Sequence, residues 1–386
     1  MEDLTEVVTL TRELIQIPSE NPIGSEKACA TYIESWLKKV DKINIEVQEV
    51  EEGRQNIIAT YKAKKPIKRP LVYIGHMDTV PVEGDWNYHP FGGQIVDGKL
   101  YGRGACDMKS GLACALIALK RLSEKGIELE RDLIVIASID EEGPFMKGAV
   151  ALEKEKFIPE DALLVAMEPT SLTMSTSHKG TIWYELNIEG KSSHGGRAHL
   201  GADAVHAASE IISRLKKKVA DLSYNHEVFG KPALSVGTIS GGNKTNMVAG
   251  SCRVELDFRL VPPMTKEEAN TIINQCVKEG CEQVTGTKAV IKHYGWQRPP
   301  IETDIASPLV KMMGSTYEKV VGEEIKESGF PAYTDVSMIS LRTGNKDFIV
   351  FGPGDLDQAH AVDEFVDIHQ LDVCTDVLFE LARSHG

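Results

Sequence analysis

The stretch Gly75-His76-Met77-Asp78-Thr79-Val80-Pro81 follows the apolar run Leu71-Val72-Tyr73-Ile74, which reads as a buried strand. A histidine and an aspartate two positions apart, His76 and Asp78, then sit where that strand ends. On an extended path residues i and i+2 point to the same side, so an imidazole and a carboxylate share one face. The carboxyl edge of an open α/β sheet is also where such folds place their sites. Taken alone the pair is a weak signal, because a His-x-Asp often does nothing beyond a hydrogen bond. It gains weight because the chain returns to the same chemistry at other strand ends.

Those ends can be read in order. Gly98 to Lys109 contains Gly102-Arg103-Gly104-Ala105-Cys106-Asp107-Met108-Lys109, and a helix with the stripe Leu112, Ala115, Leu116, Leu119 and Leu122 comes next. Leu133 to Ile139 is an apolar, β-branched run of strand length, as in a parallel sheet buried on both faces, and it stops at Asp140-Glu141-Glu142-Gly143. Leu163 to Met167 is the next such run and stops at Glu168-Pro169-Thr170. Phe348 to Phe351 stops at Gly352-Pro353-Gly354-Asp355, with His360 shortly after. Helices are expected at 3–16, 26–39 and 371–383, and two neighbouring strands at 43–50 and 56–61.

Between these stretches the pattern changes. Ile182, Tyr184, Leu186 and Ile188 alternate with Trp183, Glu185, Asn187 and Glu189, the mark of a strand with one wet face. Helices at about 202–219 and 266–278 and strands at 233–239, 252–260 and 289–293 complete a β-α-β-β-α-β order, that of a ferredoxin-like domain. The expected organisation is a mostly parallel α/β domain at 1–177 and 294–386 with a ferredoxin-like domain inserted at 178–293.

Composition narrows the function classes. The chain has 386 residues, enough for two or three domains of roughly 100–200 residues. A net charge of -14, spread along the chain, disfavours nucleic acid and anionic membrane as partners. The seven cysteines are odd in number and show no Cys-x-x-Cys spacing, which reads as reduced, mostly buried thiols of a cytoplasmic protein. No basic n-region followed by an apolar core opens the chain. No Gly-x-Gly-x-x-Gly follows the first strands, so a dinucleotide-dependent redox enzyme ranks low.

His76, Asp107, Glu142, Glu168 and His360 are imidazole and carboxylate groups at or just beyond strand ends. Zinc takes both donor types, and two imidazoles with three carboxylates suit two ions if one carboxylate bridges. Ions about 3.5–4 Å apart can activate a water and polarise a carbonyl together. Asp78 is expected to accept the ring N–H of His76 and fix its tautomer. Of Glu141 and Glu142, one would remain free beside the metals, a suitable general base. Singly, each of these has a bland reading: an acidic turn for Glu141 and Glu142, a structural carboxylate for Glu168, a polar loop for His360. The bland readings fail together, since strand ends rarely collect such a set by accident.

These motifs, Gly-His-Met-Asp-Thr-Val-Pro, Gly-Arg-Gly-x-x-Asp-Met-Lys, Asp-Glu-Glu-Gly, Glu-Pro-Thr and Gly-Pro-Gly-Asp-x-x-x-Ala-His, resemble the di-zinc aminoacylase and carboxypeptidase G metallopeptidase family. Within it they are most similar to the acetylornithine deacetylase and succinyl-diaminopimelate desuccinylase branch. The resemblance covers nearly the whole chain. It implies two divalent ions, zinc with cobalt or manganese as alternatives. Asp107 would bridge them, His76 and Glu168 would take one, and Glu142 and His360 the other. Glu141 would be the general base, and a cis peptide would come after Asp107. The inserted domain would form a homodimer, His194 and Asn246 would reach the partner's active site, and Arg259 would hold the substrate's α-carboxylate. For Arg259 a structural pairing with Asp257 or Glu255 stands beside that role. The implied reaction is hydrolysis of an N-acyl amino acid. A glutamate at the Glu168 position goes more often with acyl-amino-acid hydrolysis and an aspartate with peptidases, so a dipeptidase is the alternative. The wall Gly329-Phe330-Pro331-Ala332-Tyr333 is bulkier than the glycine-rich stretch of the desuccinylases and leaves the acyl preference open. A binding protein that keeps the fold without turnover is disfavoured by the intact ligand set.

Overall fold

A computed structural model describes residues 4–21 and 26–385. The expected first helix begins within the undescribed residues 1–3, and the loop expected beyond Asn21 enters the undescribed residues 22–25. The chain divides into two compact units. One comprises Met1–Ser177, Glu302–Phe330 and Thr334–Gly386, and the other His178–Ile301 and Pro331–Tyr333.

In the first unit four strands lie side by side in the order Leu133–Ser138, Leu71–His76, Leu163–Ala166, Phe348–Val350, all parallel. Leu71 stands opposite both Leu133 and Leu163, and Phe348 opposite Leu164. The hairpin Ile43–Glu51 and Arg54–Tyr61 extends the sheet beyond Leu133–Ser138, antiparallel. Every residue of the four central strands is buried, as their unbroken apolar runs require. One face, with Leu71, Tyr73, Leu133, Val135, Leu163 and Val165, joins the main apolar cluster. Helices Glu6–Ile15, Lys109–Glu124, Pro308–Val321 and Ile368–His385 supply much of the rest of that cluster. The opposite face, with Val72, Ile74, Ile134 and Ile136, is covered by Lys147–Lys154 and Asp335–Thr343.

The helix Lys109–Glu124 is buried almost all round over its first three turns, not only along its leucine stripe. It presses onto the strand-end segment at Met167 so closely that a Cβ on Gly111 would lie 2.0 Å from the Met167 carbonyl oxygen. The buried amine of Lys109 donates to the carbonyls of Leu14 (3.0 Å) and Ile17 (2.7 Å), at the carboxyl end of the first helix, where a cation is favoured.

The second unit has a four-stranded sheet in the order Ala233–Gly241, Ser251–Leu260, Gly180–Glu189, Lys288–Arg298, antiparallel throughout. With the helices Ala204–Ala220 and Lys266–Gln283 this is the ferredoxin-like βαββαβ order. Its last strand runs past 293, because a register shift between Tyr294 and Arg298 lets pairing continue to Thr181. Ile182, Tyr184, Leu186 and Ile188 are buried against the helices. Asp203 caps the first helix by accepting from Val205 and His206, and Thr265 with Glu268 forms a capping box on the second. All seven cysteines are free thiols. Among the described residues no helix is long and apolar enough to cross a membrane.

Candidate metal centre

Parallel strands end on the same edge, and the first unit gathers its polar groups there. His76 is the last residue of its strand. Beyond Ser138 the chain turns at Asp140, which adopts φ 63°, and presents Glu141 and Glu142. Glu168 lies two residues past Ala166, and the Met167 N–H donates to the Ile74 carbonyl at 2.9 Å. Asp107 arrives from Gly102 and Gly104, at φ 154° and 83°, just before the helix at Lys109, and its peptide bond to Met108 is cis. His360, also with positive φ (64°), comes from the loop after Val350.

These groups converge. His76 Nε2 is 3.1 Å from Asp107 Oδ1, 3.9 Å from Glu168 Oε1 and 3.9 Å from Glu141 Oε2. His360 Nε2 is 3.4 Å from Asp107 Oδ2 and 3.0 Å from Glu142 Oε1. The two oxygens of one carboxylate therefore face two different imidazoles. Two sets, His76-Asp107-Glu142 and His76-Glu141-Glu168, have ligand atoms within 4.8 Å of one another. His76 is almost wholly buried, whereas the His360 side chain is 51% exposed, so the centre opens on the His360 side.

The electrostatics are those of a site built for cations. Burial pushes the Glu141 and Glu168 carboxyls well above their usual range, and neighbouring carboxylates push them further against the pull of His76. Burial acts to depress His76, but Asp107, Glu168 and Glu141 outweigh it and raise its pKa. Hydrogen bonds to Asp107 and Glu142 lift His360 to about 10. Burial opposes the ionised form of Asp107, yet its bonds to both imidazoles hold it well below the carboxylate range. Glu141 Oε1 is buried with no hydrogen-bond partner among the described residues. Crowded, desolvated carboxylates with a spare oxygen fit two divalent cations, which would neutralise them.

The sequence profile of peptidase family M20/M25/M40 matches residues 72–384. The chain belongs to that family. It is thus a metallohydrolase of the M20/M25/M40 type. The acetylornithine deacetylase of Photorhabdus laumondii subsp. laumondii is 30% identical to it, covering 94% of this chain and 92% of its own. A probable succinyl-diaminopimelate desuccinylase of Staphylococcus epidermidis is 26% identical, covering 93% and 92%. Among solved structures, a tripeptidase from Staphylococcus aureus superposes with TM-score 0.81 at 21% identity over 98% of this chain and 97% of its own. An M20 family metallo-carboxypeptidase from Sulfolobus solfataricus does so with TM-score 0.82 at 20% identity over 99% of each. Both share the α/β fold with a mixed, mostly parallel main sheet and a separate small antiparallel sheet.

One expected contact in this M20/M25/M40 chain is different. The His76 Nδ1 partner is the main-chain carbonyl of Asp78 (2.8 Å), while the Asp78 carboxylate stands off at 3.7 Å. That carboxylate accepts the backbone N–H groups of Glu141 and Glu142, each at 3.2 Å, and the Asn21 amide at 2.9 Å. The reason is geometric: the backbone carbonyl reaches the ring first and leaves the carboxylate free to brace the acidic turn. Burial raises Asp78 to about 7, against the pull of His76 and Asn21.

In the second unit His194 and Asn246 lie on paired segments, since Gly195 N–H donates to the Asn246 carbonyl at 2.8 Å. Both side chains are exposed. His194 Nδ1 accepts from Gly196 N–H at 3.1 Å, so the neutral ring carries its proton on Nε2 and presents a donor. Arg259 gives its Nε–H to Asp257 Oδ2 at 2.9 Å, with its guanidinium carbon 6.0 Å from the Tyr333 ring centre. The ion pair that competes with a binding role is therefore present.

Residues that support the centre come both from within the motifs, as Asp140 and Arg103 do, and from outside them, as Asn21, Arg54, Lys147 and Glu364 do. Asn21 Nδ2 also donates to Asp140 Oδ1 at 3.0 Å, and Asp140 receives Arg54 Nη2 at 3.2 Å and Lys147 N–H at 3.1 Å. Arg103 and Glu364 form a buried ion pair at 2.5 Å beside Asp107. The one signal for it in the sequence is a charged residue flanked by glycines, in Gly102-Arg103-Gly104.

Proposed function

We propose that the chain is a two-metal amidohydrolase that removes the acyl group from an N-acyl amino acid. The observation that carries the two-metal reading is the Asp107 carboxylate, one oxygen turned to each imidazole. On this reading Asp107 would lie between two ions, His76 and Glu168 would hold one, and Glu142 and His360 would hold the other. Two divalent ions, zinc being the best match to the donor set, would supply Lewis acidity toward an amide carbonyl and make a water more acidic when bound.

The chain's residues do the rest. Asp78 fixes the backbone of Glu141 and Glu142 through their N–H groups. Glu141 takes a proton from the attacking water and passes it to the departing amine nitrogen. A carbon–oxygen bond forms as the carbon–nitrogen bond breaks, giving a carboxylate and a free amino acid. Arg259 is proposed to grip the substrate's α-carboxylate, which requires it to exchange or share Asp257. The inserted unit is proposed to pair two copies of the chain, with His194 and Asn246 serving the partner's site.

The acyl-amino-acid reading is favoured by the relatives at 26–30% identity, named deacetylase and desuccinylase, and by glutamate at position 168. The test is amine release from N-acetyl, N-formyl and N-succinyl amino acids and from dipeptides, with added zinc or cobalt and again with chelator. Chelator-sensitive release from one acyl class is the expected result. Cleavage of dipeptides alone would replace the proposal with a dipeptidase.

A further inference from the structure

We infer that Arg103 and Glu364 are positioning residues that set the spacing of the two metal sites. This rests on the two-metal reading above. Glu364 is fully buried and uses both oxygens: Oε2 pairs with Arg103 Nη1, and Oε1 accepts the N–H groups of Cys106 (2.8 Å) and Asp107 (3.0 Å). It therefore holds the backbone of the residue whose side chain faces both imidazoles. Arg103, also buried, reaches the carbonyls of His360, Ala361 and Pro81, each at 3.4 Å, and lies against the Trp86 ring with its carbon 5.2 Å from the centre. Pro81 lies in the loop that follows His76, and His360 faces Asp107 Oδ2. One ion pair thus touches the backbone of three ligand-bearing loops, those of His76, Asp107 and His360.

The adjoining residue reinforces the same junction. Asp363 accepts from Asn87 N–H (2.8 Å), Asn87 Nδ2 (2.6 Å) and Tyr88 N–H (3.2 Å), tying the loop after Pro81 to the loop after His360. A buried pair is weak support for stability in itself, because desolvation offsets much of the attraction. Its value here is geometric: the long, rigid guanidinium fork spans carbonyls that a hydrophobic pair of equal volume would leave unpaired. Partners behind metal ligands commonly change metal affinity about 10–100-fold when altered.

The test uses the full-length protein stripped of metal and titrated with Mn2+ alone, read by calorimetry and by electron paramagnetic resonance. Wild type is expected to bind two ions and, at two equivalents, to show an exchange-coupled spectrum. Glu364→Gln keeps the volume but sets an amide against Arg103. It is expected to weaken binding of at least one ion by about 10–100-fold and to replace the coupled spectrum by that of isolated Mn2+. The double variant Arg103→Met, Glu364→Leu should recover thermal stability relative to Glu364→Gln, since no buried charge is left alone, without recovering the coupled spectrum. A merely structural pair would recover both, which would overturn the inference. So would a Glu364→Gln protein with wild-type affinities and coupling. If Glu364→Gln does not fold, the double variant decides the question, with Arg103→Lys as the charge-conserving control expected to restore partial coupling. A wild-type protein that binds no second ion would defeat the two-metal reading itself.

Discussion

The two sheets of this molecule use their strands in opposite ways. In the first unit Leu71–His76, Leu133–Ser138, Leu163–Ala166 and Phe348–Val350 all run in one direction, and a candidate ligand stands at or just beyond the end of each. In the second unit neighbouring strands alternate in direction, so polar residues cannot be collected at one edge by extending each strand. They sit along a face instead, as Glu185, Arg253 and Asp257 do. Parallel order costs burial on both faces and long crossovers, and it yields a shared carboxyl edge where chemistry can be concentrated. Antiparallel order leaves one face wet and offers surface rather than a centre.

Metal removal should have the largest effect on the parallel sheet's carboxyl edge. Chelation followed by desalting should abolish hydrolysis, and added zinc or cobalt should restore it; activity that persists in metal-free protein would strip the shared edge of its assigned role. Next in size is Glu141→Gln. It should lower kcat by about 10²–10⁴-fold while leaving the number of bound ions unchanged, as checked by elemental analysis beside steady-state kinetics.

Buried and wet positions of the two sheets should also differ in how they tolerate truncation. Ile136, fully buried in the first sheet, should cost about 2–5 kcal/mol when changed to alanine, measured by denaturant unfolding. A smaller effect is expected from pH. Burial lowers His178 to about 4, against roughly 6.5 when unfolded. Its folded form therefore binds fewer protons between those values. Stability is fully present above pH 6.5 and falls as pH drops towards 4, by about 1.4 kcal/mol per unit at the steepest. Thermal melts of His178→Gln across pH 4–7 should show a shallower acid slope than wild type. Smallest is Ile239→Ala in the second sheet, where the side chain is 53% exposed and the change should stay within about 0.5 kcal/mol.

Much of this architecture is legible in the sequence because its signals are local. Continuous apolar runs announce the parallel strands, alternation announces Gly180–Glu189, and His76, Glu142 and Glu168 sit close behind such runs, while Asp107 and His360 are carried by glycine-marked loops. The features that stay hidden depend on distant partners. Met174–His178 is buried in the main sheet, yet Met-Ser-Thr-Ser-His has no strand-like apolar pattern, because Ser175 finds its partner on Ser328. Glu364 looks like one more acidic loop residue until Arg103, 261 positions earlier, is placed against it. In sequence Asp78 reads as the partner of its neighbour His76, but its carboxylate serves Glu141 and Glu142, brought close only by strand pairing.

The contact between Gly111 and the Met167 carbonyl has a consequence for how such chains can diverge. Asp107 stands just ahead of this helix and Glu168 just after the carbonyl it presses on, so any side chain at 111 would drive the two apart. Ligands can be lost by single substitutions while a chain keeps its fold. A residue other than glycine at this spot would instead mark a helix that has moved. In a lineage drifting away from metal chemistry, the state of position 111 would thus record whether the scaffold or only the ligands had been abandoned, a distinction that a count of surviving histidines and carboxylates cannot make.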